Sequence, residues 1–116
     1  MSIERLQSGP RMSQAVIHNG VVYLAGQVAK DPSKDLADQT GQVLASIDSL
    51  LAEAGSDKSR ILSATIYLTD MADFATMNGV WEGWVVAGST PARATVEAGL
   101  ASSKYKIEIV VVAAVS

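Results

Sequence analysis

Cysteine is missing altogether, and with it disulfides, thiolate nucleophiles and thiolate metal sites. Histidine occurs once, as His18. A histidine-rich metal site is therefore excluded, as is a histidine-based catalytic pair unless His18 itself serves. No cluster of Lys and Arg exists, the net charge is −3 and the isoelectric point is about 4.9. The electrostatic footprint of a nucleic-acid binder is thus missing. Long apolar runs are missing too: the longest, residues 109–115, is far short of the roughly 20 residues that a membrane span needs. Residues 1–5 carry no apolar signal region. No internal repeat, low-complexity segment or linker breaks the chain. A cytoplasmic protein with no nucleic-acid and no membrane partner is the expectation.

What is present is a surplus of apolar side chains. Hydrophobic residues make up 48% of the 116 positions, only 18% are charged, and the mean hydropathy is +0.22. That is too apolar for a disordered chain and somewhat apolar for a small soluble monomer. The length allows one domain, residues 1–116, with no room for two. A chain of this size leaves much of its surface uncovered, so the excess apolar residues are expected to face another subunit.

Periodicity places the elements. Residues 3–6 read as a short edge strand broken by Gly9-Pro10. Residues 14–18 and 21–25 read as two strands joined by Asn19-Gly20, a two-residue hairpin turn whose positions need positive φ. The second of them is apolar without alternation, which predicts burial on both faces. Asp35 is a helix N-cap. Leu36, Val43, Leu44, Ile47, Leu50, Leu51 and Ala54 then recur at three- and four-residue steps, one stripe of an amphipathic helix, with Gly55 as its C′ residue. Residues 61–68 alternate as a half-buried strand. Thr69 or Asp70 caps a second helix that carries Phe74, Met77, Val80, Trp81, Trp84 and Val85 on one face and ends at Gly88. Residues 94–98 and 105–115 are the last two strands. The order β-β-β-α-β-α-β-β predicts an α+β fold, one sheet with two helices on one face. The opposite face still carries Val, Ile and Ala and is expected to be buried by oligomerisation.

Two side chains stand out for chemistry. Arg93 follows Pro91-Ala92 at the mouth of a strand, and a guanidinium is a planar fork suited to a carboxylate. Glu108 stands near the start of the most apolar strand, where a carboxylate can hold a water or handle a proton. If residues 94–98 and 105–115 pair as a hairpin, Thr95 and Glu108 lie near each other; register does not follow from sequence. The plainer reading of Arg93 is a surface arginine at a strand start. For Glu108 it is a solvated residue paired with Lys106. Glu97 reads as a structural or rim charge, His18 as a turn-flanking surface residue, and Trp81 and Trp84, with Phe74 and Met77, as core. Gly26-Gln27 lacks phosphate-loop spacing and reads as a strand-end turn that lets the backbone approach a ligand.

Five stretches, in order over nearly the whole chain, carry a family pattern. They are Ser13-Gln14-Ala15, Leu24-Ala25-Gly26-Gln27-Val28, Ala72-Asp73-Phe74-Ala75-Thr76-Met77-Asn78, Pro91-Ala92-Arg93-Ala94-Thr95-Val96 and Lys106-Ile107-Glu108-Ile109. Together they resemble the Rid family (RidA/YjgF, reactive intermediate deaminases). The Val-Val-Ala-Gly stretch before the arginine and the Ala-Gly-Leu after its strand resemble the YoaB-like branch. The resemblance implies a chorismate-mutase-like (YjgF/RidA-like) α+β fold and a homotrimer with a site in each inter-subunit cleft. It also implies a cofactor-independent imine and enamine deaminase. Such an enzyme hydrolyses reactive 2-imino acids of the 2-aminoacrylate kind to 2-oxo acids and ammonia, a metabolite damage-control activity without metal. By position, Arg93 matches the arginine that binds the substrate carboxylate, and the backbone of Thr95 a second carboxylate contact. Glu108 matches the glutamate that positions the water, with the backbone of Gly26 beside it, and Asn78 a supporting cleft residue. Met12 stands where the family often has a tyrosine, which removes the aromatic wall and hydroxyl from that position. Thr95 stands where the archetype has cysteine, so thiol modification is excluded there. Two other functions stay open: a non-catalytic small-carboxylate-binding protein using Arg93 alone, and an endoribonuclease or translation inhibitor, against which the acidic composition argues.

Overall fold

The computed structural model describes residues 2–115. Strands β1 (Glu4–Ser8), β2 (Ser13–His18) and β3 (Val21–Leu24) come first, and helix α1 (Leu36–Glu53) follows. Strand β4 (Ile61–Leu68), helix α2 (Phe74–Glu82), strand β5 (Ala92–Glu97) and strand β6 (Ile107–Ala114) complete the chain. The sheet order is β1-β2-β3-β6-β4-β5, antiparallel except for the parallel pair β4 and β5. The chain is a slab 43 × 38 × 20 Å, one layer of sheet and one of helices.

Local chemistry explains most of the boundaries. Asn19 and Gly20 take φ of 52° and 76°, the left-handed pair that a tight hairpin demands, and His18 faces Val21 across it. Asp35 accepts the N–H of Asp38 at 2.9 Å and so caps α1. Leu36, Val43, Leu44, Ile47, Leu50, Leu51 and Ala54 are all buried, and Gly55 beyond the helix has φ 82°. Their partners across the layer are Val22, Leu24, Ala64, Ile66, Leu68, Ile107, Ile109, Val111 and Ala113 from one face of the sheet. Gln39 is a polar side chain in this apolar seam. Its amide donates to the carbonyls of Pro32, Lys34 and Lys104 and accepts the N–H of Lys106, clipping two loops to α1 at the start of β6.

The structure departs from expectation at several points. Residues 21–25 are not buried on both faces: Val22 and Leu24 are buried, while Tyr23 is 50% exposed on the side the helices leave bare. The second helix ends at Glu82, not Gly88. Gly83 caps it, and the N–H groups of Trp84 and Val85 both turn back to the carbonyl of Trp81 in a tightened last turn. Asp70 caps a short 3₁₀ turn, Met71–Asp73, rather than α2 itself. Phe74, expected in the core, is 37% exposed. The two last strands do not form a hairpin. The βαβ crossover through α2 sets β5 parallel to β4 at the sheet edge, and β4 lies between β5 and β6.

Candidate active site

Arg93 and Glu108 project from opposite faces of the sheet. Arg93 pairs with Ala64, which is buried under the helices, so Arg93 shares the helix-covered side. Glu108 lies between Ile107 and Ile109, both fully buried, so it turns to the bare side, opposite Tyr67. Thr95, expected to approach Glu108, is separated from β6 by the whole of β4; it aligns with Ile66 and Ile109 on the helix side.

Arg93 sits on the edge strand under α2. Its guanidinium carbon lies 5.9 Å from the centre of the Phe74 ring and 5.5 Å from that of Trp81. Among the described residues no carboxylate is within ion-pair distance of it, so the fork keeps its N–H edge for a ligand. Glu97, four residues along on the same face, accepts the N–H of Met71 at 3.0 Å instead. Asn78 is half-buried on α2, four residues after Phe74 and three before Trp81, on the stripe that carries both rings. The N–H of Ala98 donates to Leu68 of β4, and alternation along β5 therefore turns the N–H groups of Arg93, Thr95 and Glu97 to the unpaired edge. The Thr95 hydroxyl is buried without a hydrogen-bond partner among the described residues.

Glu108 is built differently. Gly26 follows β3, where the chain still pairs with β6 through Gln27 and Ile109. The Glu108 side chain lies flat on Gly26: a Cβ there would collide with Oε2 and stand 2.8 Å from Cδ and 3.2 Å from Cγ. Only glycine leaves that space. The carboxylate accepts no hydrogen bond and has no ion pair with Lys106 among the described residues, so the plain reading of a solvated pair does not hold. Met12 is 49% exposed in the turn between β1 and β2, and β3, β6 and β4 separate β2 from β5.

One chain therefore carries two separate clusters. Arg93, the Thr95 N–H and Asn78 stand at the β5 edge. Glu108 and Gly26 stand on the bare face, with Met12 farther out on the same sheet. A groove of about 260 Å³ opens elsewhere, between α1 and Gln7, Gln14 and Gln27, and touches none of these residues. Asp31 and Asp57 are the carboxylates held below the usual range, each by the hydroxyl and then the N–H of a serine two residues on; both build turns away from either cluster. Among the described residues no three His, Cys, Asp or Glu are grouped to hold a metal ion, and no helix is long and apolar enough to cross a membrane.

Comparison with known proteins places this architecture. The family model described as Endoribonuclease L-PSP matches residues 2–115. A member of the YjgF protein family from Neisseria meningitidis superposes with a TM-score of 0.97 at 50% identity, covering 100% of this chain and 97% of that one. The sheet of six strands with two helices on one face is thus the YjgF and L-PSP fold. The RutC family protein YoaB of Escherichia coli is 50% identical over 115 residues, 99% of this chain and 100% of that protein. The chain belongs to the Endoribonuclease L-PSP family, which is the Rid (RidA/YjgF) family, in its YoaB-like branch. A more distant relative, Reactive Intermediate Deaminase A of Arabidopsis thaliana, is 37% identical over 103 residues, 84% of this chain and 54% of that protein.

Two features of the site were not read from the sequence. One is the pair of rings over Arg93, although positions 74, 78 and 81 already have the spacing of one helix stripe. The other is Gln39, whose place three residues after Leu36 and four before Val43 puts it on the buried face.

Proposed function

We propose that the protein is a cofactor-independent 2-imino acid deaminase acting in the cytoplasm, with its site completed between copies of the chain in a homotrimer. The observation that carries this reading is a pair of opposite charges without ion-pair partners among the described residues. Arg93 offers a free fork, and Glu108 offers a free carboxylate pressed on Gly26. In one chain they occupy opposite faces of a sheet and cannot serve one substrate. A second copy that sets its β5 edge against the bare face brings Arg93, Thr95 and Asn78 of one protomer to Glu108, Gly26 and Met12 of another. The apolar bare face supplies the reason for such an assembly.

In that cleft Arg93 holds the substrate carboxylate through two N–H donors, and the outward N–H of Thr95 adds a third. The protonated C=N carbon is electrophilic without further activation. Glu108 takes a proton from water as the oxygen bonds to that carbon, and the C=N pair becomes a lone pair on nitrogen. Glu108 returns the proton to nitrogen. The hydroxyl oxygen then forms the carbonyl as the C–N bond breaks; its proton passes to Glu108 and on to the departing ammonia, which leaves as ammonium, and the 2-oxo acid remains. A bidentate charge-assisted contact is worth about 1.5–3 kcal/mol, enough to select carboxylates but not to supply the rate enhancement. Placement of the water carries the rest.

The test generates imines in situ from several amino acids with an amino-acid oxidase and follows their loss. Acceleration by the protein is expected, lowered about 10- to 100-fold in kcat/KM by Arg93→Ala and about 10²- to 10⁴-fold in kcat by Glu108→Ala. No acceleration across these imines overturns the reading. Undiminished affinity for 2-oxo acids in Glu108→Ala, with no turnover by either protein, would establish a carboxylate binder instead.

A further inference from the structure

We propose that Phe74 and Trp81 are positioning residues for Arg93: their ring faces hold the guanidinium plane so that its N–H edge is presented in one orientation to the incoming carboxylate. The inference rests on the deaminase reading for its kinetic consequence, but its structural content is independent of that reading.

A long arginine on an exposed edge strand ordinarily samples many rotamers, and ordering it on binding lowers affinity. An acidic partner would order it at the expense of the donors a substrate needs. Here the two jobs are separated. The guanidinium carbon lies over the Phe74 ring at 5.9 Å and over the Trp81 ring at 5.5 Å, within cation–π distance of both. The N–H groups lie in the plane of the fork and are not consumed by stacking. The two rings differ in support. Trp81 is buried and touches Trp84 with ring centres 5.5 Å apart, and the Trp84 indole N–H donates to Asp48 of α1 at 2.9 Å. Phe74 opens α2 and is 37% exposed, so nothing in the core requires an aromatic ring there. Its place is set from β5 itself. Glu97 accepts the N–H of Met71, and Asp70 accepts that of Ala72, which ties the turn ahead of Phe74 to the strand that bears Arg93. Glu97 is thereby turned to that N–H, and among the described residues it makes no ion pair with the guanidinium. The strand thus holds both the fork and the anchor of the ring that covers it.

The test compares Phe74→Leu, which keeps apolar bulk without a ring face, with Phe74→Tyr, which restores the face. Two readouts are taken on the full-length protein. The first is the Arg93 Nε–Hε resonance by NMR, with no ligand present. Wild type is expected to show a ring-current shift and restricted motion. Phe74→Leu is expected to lose both and Phe74→Tyr to keep them. The second is imine turnover: Phe74→Leu is expected to raise KM about 3- to 10-fold with little change in kcat, with recovery in Phe74→Tyr. An Arg93 resonance equally shifted and ordered in wild type and Phe74→Leu overturns the proposal, whatever the kinetics. Loss of order in Phe74→Leu without a rise in KM also overturns it, because orientation then does not reach the substrate. If no variant turns over imines, the deaminase reading fails, and the NMR comparison still decides whether the rings hold Arg93.

Discussion

At the scale of single residues, Gly26 decides where Glu108 can be. The carboxylate occupies the volume that any other residue would fill with its Cβ. Gly26→Ala must push Glu108 off the backbone, while the backbone there, whose φ is not positive, tolerates alanine. Turnover is expected to fall about 100-fold, the size of a misplaced proton acceptor. The thermal midpoint should change by only a few degrees, about 1 kcal/mol or less. Calorimetry and imine kinetics on the same preparation check the pair; unchanged turnover would show that Glu108 need not lie on Gly26. At this scale the sequence was most legible in Arg93 and Glu108, whose chemistry is intrinsic to the side chain. It was least legible in Phe74, which looks like any other apolar residue of a helix stripe and instead stands in the open against a cation.

Elements came through where their signals are local. The turn Asn19-Gly20, the Asp35 cap and the buried stripe of α1 sit where backbone geometry and 3.6-residue periodicity put them. Helix α2 did not, because its apolar spacing runs on through Trp84 and Val85 while Gly83 has already released the helix. The start of β6 depends on a long-range clip. Gln39 shares its two amide N–H donors among three carbonyls and accepts one N–H from two loops, and its loss leaves part-buried backbone groups unpaired. Gln39→Leu is expected to destabilise the chain by about 3 kcal/mol. Urea unfolding measures this; a cost within error of zero would mean that water replaces the amide.

For the whole molecule, the bare sheet face is the feature without a purpose in one chain. Tyr23 and Val96 are 50% and 42% exposed on it, and Val110 and Val112 lie half-buried between them. Val112→Glu adds a charge that the isolated chain can keep in water but an apolar interface cannot. It is expected to yield folded monomers by sedimentation velocity and to abolish turnover, since no chain then brings Arg93 and Glu108 to one cleft. Active monomers would sink the shared-site proposal.

The sequence by itself determined the order of elements, the apolar stripe of α1, the Asn19-Gly20 turn, the Asp35 cap, the absence of thiol chemistry, and the two charged side chains. All of these follow from residue type and near-neighbour spacing. Only the tertiary structure decided that β4 separates β5 from β6, that Arg93 and Glu108 occupy opposite faces, and that two rings cover the arginine. Strand neighbours are set by how the βαβ crossover closes and by where apolar faces meet across long loops, a global packing optimum that no short window of residues contains.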